Sequence, residues 1–192
     1  MPVEKQNFSN YTYKDYCDWE TDERFELIDG IPYAMAAPLI RHQRALGKLS
    51  QKIANHLERT KGHSCEVFFA PFDVRLNHEK GDDTVVQPDL VVICDPKKIE
   101  DGKACKGAPD LVIEILSPSN PNHDRMIKFH KYIEAGVGEL WFVDLDAKTV
   151  EVYRRTGEDG NYLFTVYMSG ADIPVGILPG LFIDTEDILR EG

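Results

Sequence analysis

The sequence predicts an α/β (α+β) domain with a mixed central β-sheet flanked by helices, and two observations carry that prediction. Residues 85–94 and 110–116 are nearly unbroken aliphatic runs, the pattern of strands covered on both faces. Helical and extended segments also follow one another in the order helix, strands, helix, strand, with no internal repeat, linker or change of composition. A length of 192 residues suits a single domain spanning 1–192, and 42% hydrophobic with 29% charged residues is a composition able to bury one core.

Each element has its own signal. Residues 11–19 read as a short helix capped by Asn10 or Thr12, and segments 24–28 and 31–35 flank Asp29-Gly30, a hairpin turn. Ala45, Leu46, Leu49, Ile53 and Leu57 fall at helical spacing, so the first long helix follows Pro38 and stops at Lys61-Gly62. Segments 65–70 and 72–76 read as extended chain bent at Pro71, and 77–83 as a polar loop. Runs 85–94 and 110–116 come next as neighbouring central strands. Met126, Ile127, Phe129 and Ile133 make a helical stripe over 124–135 that Gly136 ends. Segments 139–144, 149–155 and 162–168 are strands joined by short polar turns, and the Pro- and Gly-punctuated remainder, to Leu189, wraps the sheet.

Composition narrows the function. With 22 Lys and Arg against 33 Asp and Glu, the net charge of −11 repels a phosphate backbone at long range. A general nucleic-acid coat protein is thereby excluded, whereas an enzyme that meets nucleic acid through a local basic patch or a charge-neutralising metal is not. No apolar run reaches the roughly 18 to 20 residues of a membrane helix, and the N-terminus lacks the apolar stretch of a secretory signal, so a cytoplasmic protein with no membrane partner is expected. Cys17, Cys65, Cys94 and Cys105 show neither a C-x-x-C pair nor a His-x-x-x-His partner, so reduced structural thiols are expected rather than a zinc site or a disulfide framework.

Polar groups inside aliphatic strands are the informative ones, because burying an unpaired carboxylate costs several kcal/mol unless a partner or metal compensates. Asp89 in Val-Val-Gln-Pro-Asp-Leu-Val-Val-Ile and Glu114 in Pro-Asp-Leu-Val-Ile-Glu-Ile-Leu stand out. Asp110 shares a strand face with Glu114 but lies about 13 Å away at ~3.3 Å per residue, too far to share one ion. Asp89 and Glu114 can meet if their strands are neighbours, as a hard divalent cation requires. Held that close without metal, the two should titrate jointly, at least one with a raised pKa. For Asp89 and Asp110 the simpler alternative is a strand-start carboxylate binding loop amides. For Glu114 it is a buried ion pair.

The motifs Glu-Leu-Ile-Asp-Gly (26–30), Arg-His-Gln (41–43), Ala-Pro-Phe-Asp-Val (70–74), Val-Gln-Pro-Asp-Leu (86–90), Gly-Ala-Pro-Asp-Leu-Val-Ile-Glu-Ile-Leu-Ser-Pro-Ser (107–119), Asp124, Lys128, Tyr132 and Gly-Val-Gly-Glu-Leu-Trp-Phe-Val-Asp (136–144) occur in order. Together they resemble the Uma-type putative restriction endonuclease family, a branch of the PD-(D/E)XK nuclease superfamily, over about residues 11 to 189. The resemblance implies a restriction-endonuclease-like core in which carboxylates at the ends of adjacent strands hold Mg²⁺ or Mn²⁺ and hydrolyse phosphodiester bonds of DNA, an endodeoxyribonuclease. By it Asp89 is the first aspartate and Glu114 the second acid, with the Ile115 backbone carbonyl as a third metal ligand. Glu26 resembles an additional acid that binds the metal directly or through water; its alternative is an exposed hairpin carboxylate.

The superfamily lysine, two residues beyond the second acid, is replaced here by Leu116. Lys128 and Lys131 of the following helix are the substitutes, and Lys128 fits the family spacing of Asp124, Lys128 and Tyr132. Helical side chains lean toward the N-terminus, which favours Lys128 over Lys131 as the group reaching back to the strand ends. Its alternative is an i,i+4 surface pair with Asp124. The catalytic set is therefore Asp89, Glu114 and Lys128. His42, opening the first long helix, contacts a phosphate or hydrogen-bonds Glu26, and Tyr132 packs one turn beyond Lys128 with its hydroxyl toward the site. Trp141 and Phe142 are core, and His63, His78, His123 and His130 lack ligand spacing. Double-strand cutting needs two sites, which a homodimer would supply. The missing strand lysine and the acidity favour one rival, a catalytically silent module binding DNA or protein in a mobile-element or defence context. Another is a purely structural polar network around Asp89 and Glu114.

Overall fold

The computed structural model describes residues 10–117, 123–157 and 159–190, with residues 123 and 124 as backbone alone. Helix α1 (Tyr13–Cys17) starts at Thr12, whose backbone N–H donates to the Asp15 carboxylate at 2.8 Å. Strands β1 (Phe25–Ile28) and β2 (Ile31–Ala34) form the expected hairpin. Its turn needs Gly30 for two reasons. The backbone is left-handed there (φ 73°), and a Cβ would lie 2.6 Å from the Asn10 backbone.

Helix α2 (Ile40–Arg59) follows, then β3 (Glu66–Phe69), β4 (Val74–Arg75), β5 (Val85–Val86), β6 (Leu90–Ile93), β7 (Cys105–Lys106) and β8 (Leu111–Ile115). The second half holds α3 (His123–Ala135), β9 (Glu139–Asp144), β10 (Thr149–Thr156), β11 (Asn161–Met168), β12 (Asp172–Pro174), β13 (Phe182–Asp184) and α4 (Thr185–Leu189). The larger sheet has six strands in the order β11-β10-β9-β8-β6-β3, mixed because β8 and β9 run parallel across the α3 crossover. A five-stranded sheet, β2-β1-β5-β4-β7, carries the hairpin.

Alternation along β8 explains the layers. Leu111, Ile113 and Ile115 point into one core with Leu49 and Ile53 of α2 and Ile188 of α4. Val112 points into a second core that holds Tyr132 of α3, Phe142 of β9 and Val74 and Val86 of the smaller sheet. Glu114 is on the Val112 face by the same parity, a carboxylate aimed into an otherwise apolar layer.

Two expectations are corrected. Residues 85–94 are not one strand: the chain leaves the smaller sheet after Val86 and enters the larger one at Leu90. Pro88 has no N–H to give a ladder, so the aliphatic run breaks at Gln87-Pro88-Asp89 and joins two sheets. The cysteines are not all free thiols, because Cys65 and Cys94 form a disulfide while Cys17 and Cys105 remain unbridged. The antiparallel register Glu66↔Ile93 between β3 and β6 brings residues 65 and 94 opposite each other, a proximity that a separation of 29 residues does not announce.

Candidate active site

The break at Gln87-Pro88-Asp89 builds the site. Continuing the β6–β8 register, Leu90↔Ile113, by one residue sets Asp89 opposite Glu114. Asp89 Oδ2 accepts the Ile115 amide hydrogen at 2.7 Å and lies 3.1 Å from His42 Nε2. On the other side of the break, the Gln87 N–H donates to Glu26 Oε1 at 2.8 Å, fixing the hairpin carboxylate against the same segment. Asp89, Glu114, Glu26, His42, Ile115 and Lys128 line one cavity of about 320 Å³.

Lys128 joins the acids. Its ammonium is 2.8 Å from Glu26 Oε1 and 3.1 Å from Glu114 Oε1, and all three side chains are at most 12% exposed. The fully buried Tyr132 donates its hydroxyl to Glu114 Oε1 at 2.5 Å. Helical spacing therefore delivers Lys128 and Tyr132, one turn apart, onto a single carboxylate. Lys131 points elsewhere, pairing with Asp29 at 2.7 Å and Glu134 at 3.4 Å on the surface.

The electrostatics follow from burial. Desolvation pushes the Glu114 carboxyl up to about 7, the charges of Asp89 and Glu26 add to the rise, and Lys128 and the Tyr132 hydroxyl oppose it. Burial alone would lower the Lys128 ammonium, but Glu114 and Glu26 overcome it and raise its pKa. Burial also works to lower His42; the hydrogen bond and charge of Asp89, then Glu114 and the Ile115 backbone, hold it above the ordinary histidine value. Tyr132 is raised well above its usual value by burial and by the Glu114 and Glu26 charges.

One sequence expectation changes here, and several alternatives are resolved. His42 meets Asp89 instead of Glu26, because the start of α2 lies over the start of β6 and the Glu26 carboxylate is turned to Lys128 and Gln87. Glu26 is buried, not an exposed hairpin acid. Lys128 spends its charge on Glu26 and Glu114, and the Asp124 side chain that its surface alternative needs lies outside the described residues, as do Pro118 and Ser119 of the quoted motif. Asp110 takes the Cys94 amide at 2.7 Å, the loop-binding role of a strand-start carboxylate. Trp141 and Phe142 are buried in the two cores.

Sequence reasoning left Arg24 and Gln87 unassigned. Gln87 Nε2 donates to Asp73 Oδ1 at 2.9 Å and Tyr16 Oη at 3.0 Å, and its Oε1 accepts from Arg24 Nε at 3.0 Å and Nη2 at 2.6 Å. The available signal was a polar residue inside the aliphatic run at 85–94.

Among the described residues no three His, Cys, Asp or Glu side chains cluster closely enough to enclose an ion. Mg²⁺ asks for less, since it is commonly held by one or two carboxylates with water completing its shell. Asp89 and Glu114 facing each other beside the Ile115 backbone, at a cavity with room for water, supply hard oxygen donors that fit Mg²⁺ or Mn²⁺.

Comparison with known proteins agrees with the fold. The Uma2 family model, described as a putative restriction endonuclease, matches residues 12–186. A protein of Synechocystis sp. carrying only the description "uncharacterized protein slr1290" is 28% identical over 167 residues, covering 84% of this chain and 83% of its own. The crystal structure of a protein from Anabaena variabilis, described as a putative nuclease belonging to DUF820, superposes with a TM-score of 0.73 at 22% identity, covering 93% of this chain and 97% of that one. At that identity the likeness establishes a common fold. No described helix is long and apolar enough to cross a membrane.

Proposed function

The chain belongs to the Uma2 family of restriction-endonuclease-like proteins, and we propose that it is a divalent-metal-dependent nuclease hydrolysing phosphodiester bonds of DNA. The observation that carries the reading is the pairing of Asp89 with Glu114 at one cavity, with the Lys128 cation delivered to Glu114 from a neighbouring helix.

In this reading Asp89 and Glu114 would hold Mg²⁺ or Mn²⁺ with the Ile115 carbonyl, and Glu26 would contribute directly or through water. Such an ion, when bound, would supply Lewis acidity at the scissile phosphate and a more acidic water. The chain's own groups do the rest. His42 and the Ile115 amide fix the Asp89 carboxylate. Tyr132 fixes Glu114 by hydrogen bonding to Oε1. Lys128, at the cavity wall, donates a hydrogen bond to the attacking water and offsets negative charge gathering at the phosphate, the role of the lysine that Leu116 displaces. A homodimer supplies the second site for a double-strand cut.

The test is cleavage of a mixture of single- and double-stranded DNA with Mg²⁺ and with Mn²⁺, using the parent, Asp89→Asn and Glu114→Gln. The parent should cut, and each variant should lose at least about a hundredfold in rate, the scale of one lost preorganised electrostatic group. A parent that cuts nothing with either ion, and whose melting temperature neither ion shifts, would establish the silent DNA- or protein-binding module in its place.

A further inference from the structure

The cavity holds one cation whose described partner is neutral. Arg41 faces Asp146, Arg75 faces Asp82, Arg125 faces Glu151 and Arg154 faces Glu139. Arg24 also lines the cavity, yet its Nε and Nη2 both rest on the amide oxygen of Gln87. The cavity's carboxylates are engaged elsewhere: Glu26 and Glu114 share Lys128, and Asp89 takes His42 and the Ile115 amide. A partly buried guanidinium without an opposing charge is unfavourable, and an incoming anion relieves it.

The surroundings hold Arg24 in place. Its carbonyl accepts the Met35 N–H at 2.8 Å, so the hairpin ladder extends to residue 24 and sets Arg24 on the same face as Glu26, two residues on. The Gln87 amide can point only one way. Asp73 must accept and Arg24 must donate, so Nε2 faces Asp73 and Oε1 faces Arg24. A glutamate at position 87 would neutralise Arg24 but would set its carboxylate against Asp73. The neutral amide therefore fixes one edge of the guanidinium, and among the described residues no carboxylate pairs with its charge and no group bonds Nη1.

We propose that Arg24 is a phosphate anchor of this cavity, its guanidinium donating to the non-bridging oxygens of a nucleic-acid phosphodiester beside Asp89 and Glu114, with Gln87 as its positioning residue. The planar fork of arginine matches a phosphate's oxygens, which a lysine's point charge does not. The choice of a phosphodiester as the anion rests on the nuclease reading above.

The test measures binding in excess EDTA, so that no cleavage intervenes, with a fluorescein-labelled 20-mer oligodeoxynucleotide and separately with inorganic phosphate. Arg24→Met should weaken oligonucleotide binding about tenfold and make the slope of log K against log salt shallower by about one. Arg24→Lys, which preserves the charge, should keep the slope and still lose affinity through loss of the fork; thermal melts confirm that it folds, and it decides the matter if Arg24→Met does not. Oligonucleotide binding unchanged in Arg24→Lys and in a folded Arg24→Met overturns the anchor and leaves the nuclease reading standing. A parent that binds phosphate in an Arg24-dependent way but no oligonucleotide keeps the anion site and removes nucleic acid as its ligand. A parent that binds neither overturns the proposal.

Discussion

The Lys128 ammonium lies 2.8 Å from the Glu26 carboxylate, joining the second turn of α3 to the first hairpin of the chain. The same ammonium is the shared counter-charge of Glu114. A helix, a hairpin and a central strand thus meet on one cation, and removing it leaves two buried acids facing each other.

Lys128→Met should therefore destabilise the metal-free protein by about 3 to 5 kcal/mol, the cost of stripping a partner from a buried ion pair. Lys131→Met breaks only surface pairs and should cost about 1 kcal/mol or less. Urea unfolding of both variants in EDTA measures the difference, and equal losses would sink the assignment of Lys128 as the buried counter-charge. In cleavage assays Lys128→Met should be inactive and Lys131→Met within a few-fold of the parent.

The pH dependence has a definite sign. Glu114 is pushed up to about 7, so between its ordinary value near 4.5 and 7 the native state retains a proton that the unfolded chain releases. Stability contributed by this group falls as pH rises through that window. His42, also raised, contributes stability that is complete below its ordinary value of 6.5 and is lost as pH climbs through its native value. Both slopes run the same way. Thermal melts in EDTA should show the parent losing stability between pH 5 and 8, with a shallower loss in Glu114→Gln, whose amide keeps the Tyr132 hydrogen bond. Identical profiles would mean that Glu114 is not the titrating group.

How much of this was readable beforehand depended on whether a feature lives in local pattern or in long-range register. The hairpin at Asp29-Gly30, α2 and α3 follow from turn residues and apolar spacing, which act within a few residues. Helical geometry together with the family spacing separated Lys128 from Lys131. The split of 85–94 between two sheets was signalled only by Pro88. The partner of His42 was not readable, because the choice between Glu26 and Asp89 depends on where the start of α2 falls over the start of β6. Arg24 escaped notice because what sets it apart is the charge missing from its partner 63 residues away, Gln87.

The disulfide gives a stability prediction of its own. A bridge between Cys65 and Cys94, separated by 29 residues, should contribute about 3 to 4 kcal/mol by restricting the unfolded chain. Alkylation of the denatured protein should label two cysteines without reductant and four with it. Reduction should lower the urea midpoint by the corresponding amount. Four labelled cysteines without reductant would show the pair as free thiols.

Two glycines outside the turns should respond oppositely to alanine. Gly47 lies inside α2 with open space where a Cβ would stand, so Gly47→Ala adds helix propensity without a clash and should stabilise by about 0.5 to 1 kcal/mol. At Gly138 the added Cβ would lie 2.8 Å from the Asp110 carbonyl oxygen, which itself accepts the Glu139 N–H at 2.9 Å. That contact is backbone against backbone at the start of the β8–β9 ladder, so no side-chain rotation relieves it. Gly138→Ala must move β9 away from β8, at a cost of roughly 1 to 3 kcal/mol typical of overpacking. The displacement also reaches the site, because the same ladder pairs Glu114 with Phe142. Gly138→Ala should thus lose both stability and metal-dependent cleavage, whereas Gly47→Ala should keep the cleavage. Denaturant unfolding and the cleavage assay on both variants check this, and a Gly138→Ala protein as stable and as active as the parent would show that the close approach of β8 and β9 does not set the position of Glu114.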